Sequence, residues 1–229
     1  MITLKLLDLF CGAAKGYMQA AEKLGINLEI TGIDNRPQKH YPYHFIQSDA
    51  LEYVIEHGQF FDVLHASPPC QHASKSTSIA KSKGKIYPNL IPVTREILLN
   101  FKIPSIIENV PGAKIRPDIF LTGPTFNLLV LRKRIFEINN CFLLQTPNLI
   151  KHGSCKEGDY YSIFGRGSWK KEKSYVMPKI RKNTVRESWA FAMGIDWYMN
   201  ETELAQAIPP AYTKFIGLQI FEQIINKSL

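Results

Sequence analysis

Through about residue 110 the chain alternates short apolar runs with helix-like ones, and this rhythm limits the architectures open to it. Residues 5–9 read as a first strand, 28–33 as a second, 43–47 as a short third, 61–66 as a fourth and 105–109 as a fifth. Between them, residues 17–24, 50–57 and 91–101 read as helices. Such alternation predicts a parallel sheet covered by helices on both faces, because each crossover must carry the chain back across the sheet. Residues 126–130 and 132–138 read as two further strands, and 185–193 and 210–225 as helices. The last helix is apolar nearly all round, which predicts burial in the main body. Residues 139–182 break the pattern, mixing Gly, Ser, Lys and isolated aromatics without a clear period. The expected organisation is one α/β unit built from residues 1–138 and 183–229, with 139–182 as a small basic insertion.

The sharpest local feature is Ser67-Pro68-Pro69-Cys70-Gln71, directly after the fourth strand. Each proline locks its own φ and pushes the residue before it toward an extended shape. A rigid turn after a strand places one thiol at the C-terminal edge of the sheet, where open α/β sheets bind ligands. A free cysteine is also often only a small buried hydrophobe, so Cys70 gains meaning from its companions. The first strand ends in Asp8-Leu9-Phe10-Cys11-Gly12-Ala13-Ala14-Lys15-Gly16. A glycine-containing turn between strand and helix lets a ligand approach the backbone. It is not GxGxxG, so a dinucleotide is disfavoured. The second strand ends in Gly32-Ile33-Asp34, an acid placed to bind a ribose diol. Asp49 follows the third strand, either as another ligand group or as the cap of the next helix. Acids at successive strand ends suit a nucleoside cofactor carrying positive charge, and S-adenosylmethionine is such a molecule. Glu108 emerges from the apolar fifth strand in Ile106-Ile107-Glu108-Asn109-Val110. A buried carboxylate is paired, protonated or used; a hydrogen bond to a neighbouring loop is the plainer alternative.

Taken in order, these segments resemble the cytosine-C5 DNA methyltransferases, as a compact, phage-type member. The resemblance runs through Asp8-Leu9-Phe10-Cys11-Gly12, Asp34, Asp49, Pro68-Pro69-Cys70-Gln71 and Glu108-Asn109-Val110. It continues in Arg132-Lys133-Arg134, in residues 185–197 and in Gln206-Ala207-Ile208-Pro209-Pro210-Ala211-Tyr212. Departures are Ala14 for a usual glycine, Val130 for a usual glutamine, and Ala205-Gln206 for Gly-Asn. The resemblance implies a Rossmann-like, S-adenosylmethionine-dependent methyltransferase sheet. It assigns Cys70 as nucleophile at cytosine C6, Glu108 as the group on N3 and the exocyclic amine, and Arg134 with Arg132 as contacts on the O2 side. Asp8, Phe10, Gly12, Asp34, Asp49 and Pro68 become the cofactor's contacts. Without the resemblance, Arg132-Lys133-Arg134 reads as a solvated strand edge. The segment 139–182 is short for a target-recognition region, so single-stranded DNA, RNA or a free cytidine nucleotide stands as an alternative substrate. A catalytically idle DNA-binding protein is a second alternative, which intact Cys70, Glu108 and Arg134 oppose.

Charge narrows the partner. The chain has a net charge of +8. Residues 139–182 hold nine Lys/Arg against three Asp/Glu, and residues 72–85 hold four Lys and no acid. The remainder is slightly acidic, so the excess lies wholly in these two segments. Concentrated positive charge points to a polyanion, most simply DNA, with solvated surface loops as the alternative reading. Lys75, Lys81, Lys83, Arg166, Lys170, Lys171 and Lys173 are the expected nucleic-acid contacts. No apolar stretch is long enough to span a membrane. The N-terminus enters a strand directly, so no signal peptide is expected. Four cysteines without CxxC spacing suit a reducing cytoplasm. Cys141, His152 and Cys155 lack a fourth ligand, so no metal site is expected.

Overall fold

A computed structural model describes residues 2–11, 15–70, 88–145, 153–163 and 178–228. Seven strands form one sheet: β1 (Thr3–Leu9), β2 (Asn27–Asp34), β3 (His44–Gln47), β4 (Val63–Ala66), β5 (Ser105–Asn109), β6 (Ile119–Leu121) and β7 (Arg134–Asn139). Their order is β3-β2-β1-β4-β5-β7-β6. The first five are mutually parallel, whereas β7 runs antiparallel to both β5 and β6. The chain builds outward from β1 to β3, then crosses back to lay β4 on the other side of β1. That reversal between β1 and β4 is the topological switch point, and open α/β sheets bind ligands at the C-terminal ends of the strands there.

Helices cover both faces. On one side lie α1 (Lys15–Leu24) and the C-terminal helix, α6 (Pro210–Ser228); on the other lie α2 (Ala50–His57) and α3 (Ile91–Leu99). The period-2 alternation of the strands divides the core accordingly. Leu4, Leu6, Val63, Ile106 and Phe136 meet the α1–α6 layer. Leu7, Leu9, Leu64, Ala66 and Ile107 meet the α2–α3 layer. A third apolar cluster joins Val130, Tyr161, Trp189, Met193 and Leu204 around α4 (Val185–Met193) and α5 (Glu201–Gln206). It ties the described part of the basic insertion, through Tyr161 and Ile163, to the C-terminal helices. Among the described residues no helix is long and apolar enough to cross a membrane.

The strands and helices through Asn109 fall where periodicity predicts them, with boundaries shifted by a few residues. Residues 126–130 do not form the expected strand. Gly123-Pro124 instead start a short 3-10 turn through Phe126, and Asn127 takes a left-handed φ of 55°. The sheet position goes to Ile119–Leu121, while Phe126 and Leu128 pack on the α1–α6 side. Helix α5 was not expected at all, although Asn200 and Glu203 close a reciprocal capping box around its first turn.

The α1–α6 contact is close enough to require glycine. A Cβ on Gly16 would overlap Pro210 O and Thr213 Oγ1, both fixed by α6's first turn. Gly16→Ala should therefore destabilise the protein by about 1–3 kcal/mol, the usual range for overpacking. Urea denaturation measures this, and an unchanged midpoint would mean that α6 shifts freely.

Candidate active site

The C-terminal ends of β1, β4 and β5 share one edge of the sheet with the N-terminal end of the antiparallel β7. Backbone bonds extend the strand pairing beyond the sheet: Ser67 N donates to Leu9 O at 3.1 Å and Cys11 N to Ile33 O at 3.1 Å. The turn after β4 is fixed from the neighbouring strand. Asn109 Nδ2 donates to Pro68 O at 2.9 Å, and Asn109 Oδ1 accepts from Val110 N at 2.9 Å. With Pro68 buried and Pro69 exposed, Cys70 is half-buried at the rim. Asn109 was not singled out as a functional residue, yet it couples the thiol's turn to the strand that carries Glu108.

Glu108 and Arg134 are brought together by β5–β7 pairing. Glu108 lies opposite Phe136, so Arg134 falls two residues along on the same face. Arg134 Nε stands 2.7 Å from Glu108 Oε1, and both side chains are largely buried. Cys70 shares their field. Burial pushes its thiol above the ordinary value; Arg134 opposes that shift, and Glu108 adds to it. Three residues from three separate segments therefore lie within one another's electrostatic reach.

Arg132 does not join it as a free contact. Its φ is 33°, a left-handed conformation, and it turns its guanidinium toward backbone. Nη1 donates to Ile163 O at 2.9 Å, Nε to Ala207 O at 3.0 Å and Nη2 to Ala205 O at 2.7 Å. Burial, then the neighbouring Arg134, push its pKa down, while these carbonyls satisfy the charged form. The expected catalytic contact is thus a structural tie between the strand, the basic insertion and the C-terminal segment. Tyr212 adds to it, its hydroxyl donating to Arg132 O at 3.0 Å.

The predicted cofactor residues divide in the same way. Asp34 is half-buried at the end of β2, and Oδ1 accepts from Arg36 N at 2.8 Å. Burial raises its pKa, with the Arg36 amide and Gln38 pulling the other way. A partly desolvated carboxylate of this kind gains from further donors such as ribose hydroxyls. Phe10 follows β1 with a left-handed φ of 55°, unusual for a bulky residue, which turns the chain at the end of the strand. Asp49, in contrast, is exposed and caps α2: Oδ1 accepts from Leu51 N at 2.8 Å and Glu52 N at 3.1 Å. Asp8 is 2% exposed. Its oxygens are engaged by Tyr41 and His65, so it is a core acid and not an open ligand group. The local sequence could not reveal this, because both partners come from distant segments. Gly12, Lys75, Lys81, Lys83, Arg166, Lys170, Lys171 and Lys173 lie outside the described residues.

A strap that sequence reasoning missed spans this end of the sheet. Lys15 Nζ on α1 pairs with Asp196 Oδ1 at 2.6 Å and lies over the Trp197 ring. His40, in the segment after β2, contacts Glu203 at 2.8 Å. Residues 196–203 thus connect α1 with the β2–β3 connection. Opposite charges so far apart in sequence give no local signal.

No protein-family model matches the chain, and no curated protein matches it.

Two outcomes follow from this electrostatic arrangement. Cys70 should be alkylated more slowly than an unstructured thiol at neutral pH, with a rate still climbing above pH 9. Removing the attractive charge in Arg134→Gln should slow alkylation at pH 8, and removing the repulsive one in Glu108→Gln should speed it. Each change should be on the order of threefold to tenfold, since one pKa unit is a factor of ten in thiolate. Peptide-mapped iodoacetamide kinetics reads both signs. Separately, Arg132→Ala should cost on the order of 3 kcal/mol, because several buried carbonyls lose a charged donor; thermal unfolding measures it.

Proposed function

We infer that the chain transfers a methyl group from S-adenosylmethionine to C5 of cytosine in DNA, through a covalent bond between Cys70 and C6. The observation that carries this reading is the gathering of Cys70, Glu108 and Arg134 at the sheet edge where β4 and β5 end, the same edge at which β2 ends in the half-buried Asp34. In support, the motif order along the chain agrees with the cytosine-C5 DNA methyltransferase family, and the doubly covered, mostly parallel sheet is compatible with a nucleoside crevice at that edge.

Cytosine C5 is a weak nucleophile. Addition of the Cys70 thiolate to C6 turns the ring into an enamine, with a proton supplied at N3 by Glu108. When bound, S-adenosylmethionine supplies an electrophilic methyl group to C5. Loss of the C5 proton to a base then restores the double bond and expels the Cys70 thiolate, returning the N3 proton. The covalent route splits one difficult step into easier ones. Arg134 has two tasks here: its charge favours the thiolate, and its guanidinium holds Glu108 in place. Glu108 in its carboxylate form opposes the thiolate. A proton on Glu108 removes that opposition, so the form that can donate to N3 is also the form that favours nucleophilic Cys70. Asp34 would take the ribose hydroxyls and Phe10 would lie against the adenine. A target base inside a duplex has to be flipped out to reach a thiol at the sheet edge. The lysines of residues 72–85 follow Cys70 directly in sequence, which suits them to phosphates around that base.

The test is methyl transfer from labelled cofactor to duplex DNA, single-stranded DNA, RNA and dCMP in parallel. Transfer to C5 of DNA cytosine is expected, with loss of activity in Cys70→Ala and cofactor affinity retained. Asp34→Ala should weaken cofactor binding by on the order of 1.5–3 kcal/mol, as for a lost charge-assisted hydrogen bond, while DNA affinity stays unchanged. Turnover of dCMP without DNA methylation would move the substrate to the nucleotide level. Methyl transfer by Cys70→Ala at the wild-type rate would remove the covalent route.

A further inference from the structure

Behind the candidate site, buried polar side chains form a series for which methyl transfer itself has no use. Tyr41 donates its hydroxyl to Asp8 Oδ2 at 3.0 Å, and His65 Nδ1 lies 2.9 Å from Asp8 Oδ1. His65 is 3% exposed. A carboxylate only accepts, so this contact places a proton on Nδ1. In the neutral ring Nε2 is then a bare acceptor. That atom is buried and has no partner among the described residues. Tyr17, wholly buried on α1, meets the imidazole edge to face, with 5.4 Å between ring centroids. Its hydroxyl is also buried without a partner among the described residues. Burial, then the charges of Asp8, Cys141 and Glu108, push the hydroxyl's pKa well above its ordinary value, so it keeps its proton. An unmatched donor and an unmatched acceptor therefore sit on adjoining rings in an apolar layer. Folded proteins keep few such groups, and a buried water is a common resolution. The series also leads toward the site. His65 pairs in register with Ile106, which puts Glu108 two residues further along the same face of the sheet.

We propose that His65 Nε2 and the Tyr17 hydroxyl bind one buried water molecule, which continues the Tyr41–Asp8–His65 series to the Glu108 end of the site and makes His65 and Tyr17 positioning residues for Glu108. The water donates to Nε2 and accepts from the Tyr17 hydroxyl, with its second hydrogen left for the Glu108 side. No net proton moves; the series holds the carboxylate's surroundings in one hydrogen-bonded arrangement. The positioning role rests on the methyl-transfer reading, whereas the water site does not.

Tyr17→Phe separates the possibilities, because it removes one oxygen and keeps the ring. If the hydroxyl has no partner, its removal relieves a buried unsatisfied group and the Tm rises. If it holds the water, the Tm falls by a few degrees, about what the loss of one hydrogen bond does in a chain of this size. A high-resolution crystal structure of the wild-type protein is expected to show density within hydrogen-bond distance of both atoms, weakened or lost in Tyr17→Phe. For the positioning role, Tyr17→Phe and His65→Gln should lower kcat on the order of tenfold with KM for the cofactor unchanged. A purely structural loss would instead reduce the amount of competent enzyme at unchanged kcat per cofactor-binding site. A raised or unchanged Tm, or a dry contact in the crystal, overturns the water site. Wild-type kcat in both variants overturns the positioning role. A wild-type protein that methylates no cytosine substrate overturns the proposed function, and the Tm and density still decide the water site.

Discussion

A carboxylate at the inner end of a central strand has few stable arrangements. Glu108 leaves the sheet beside residues with almost no access to solvent, where an unpaired charge would be costly. The antiparallel return of β7 brings Arg134 to it at 2.7 Å. Much else at this edge follows from that pair. The arginine's charge reaches Cys70, so the acid's partner also supports the thiolate. Asn109, next to Glu108, holds the Pro68 carbonyl and so sets the turn that presents the thiol. Arg132, two residues before Arg134, anchors the C-terminal segment and the insertion through backbone carbonyls. The two arginines look alike in sequence but divide the work, one facing the site and the other fastening the structure around it.

The parts of this arrangement that were legible in the sequence are those whose physics is local. Apolar runs of strand length, broken by helical periodicity, are enough to predict the parallel core. Pro68-Pro69-Cys70 announces its own geometry, because proline restricts φ wherever it stands. Glu108 after two isoleucines signals a carboxylate that needs a partner. What escaped depends on distant neighbours. Nothing around Asp8 tells that Tyr41 and His65 will occupy it, and nothing around Arg132 tells that Ala205, Ala207 and Ile163 will turn their carbonyls to it. Asp49 was ambiguous for a physical reason: an acid before a helix satisfies the first-turn amides whatever else it does. The misplaced strand at 126–130 has a similar origin. Its apolar residues are buried or partly buried, but against helices, because Gly123-Pro124 divert the backbone before it can enter the sheet.

The excess basic charge falls in two segments, 72–85 and 139–182, that interrupt the α/β framework in sequence. Residues 72–85, which carry four lysines, follow Cys70 and precede α3 in the sequence. Residues 164–177, with four of the insertion's nine Lys/Arg, lie in sequence between Ile163 and Pro178, both buried. Each basic segment is therefore fixed at both ends to the framework that carries the candidate site.

The central claim is that Cys70 bonds to the substrate. Duplex DNA carrying 5-fluorocytosine tests it most directly, because fluorine at C5 leaves no proton to be lost and the adduct cannot resolve. Incubated with S-adenosylmethionine and analysed by mass spectrometry after digestion, the protein should yield a peptide containing Cys70 joined to the modified nucleotide, and Cys70→Ala should yield none. Methylation of ordinary cytosine without any trapped adduct, or an adduct on another residue, would contradict it.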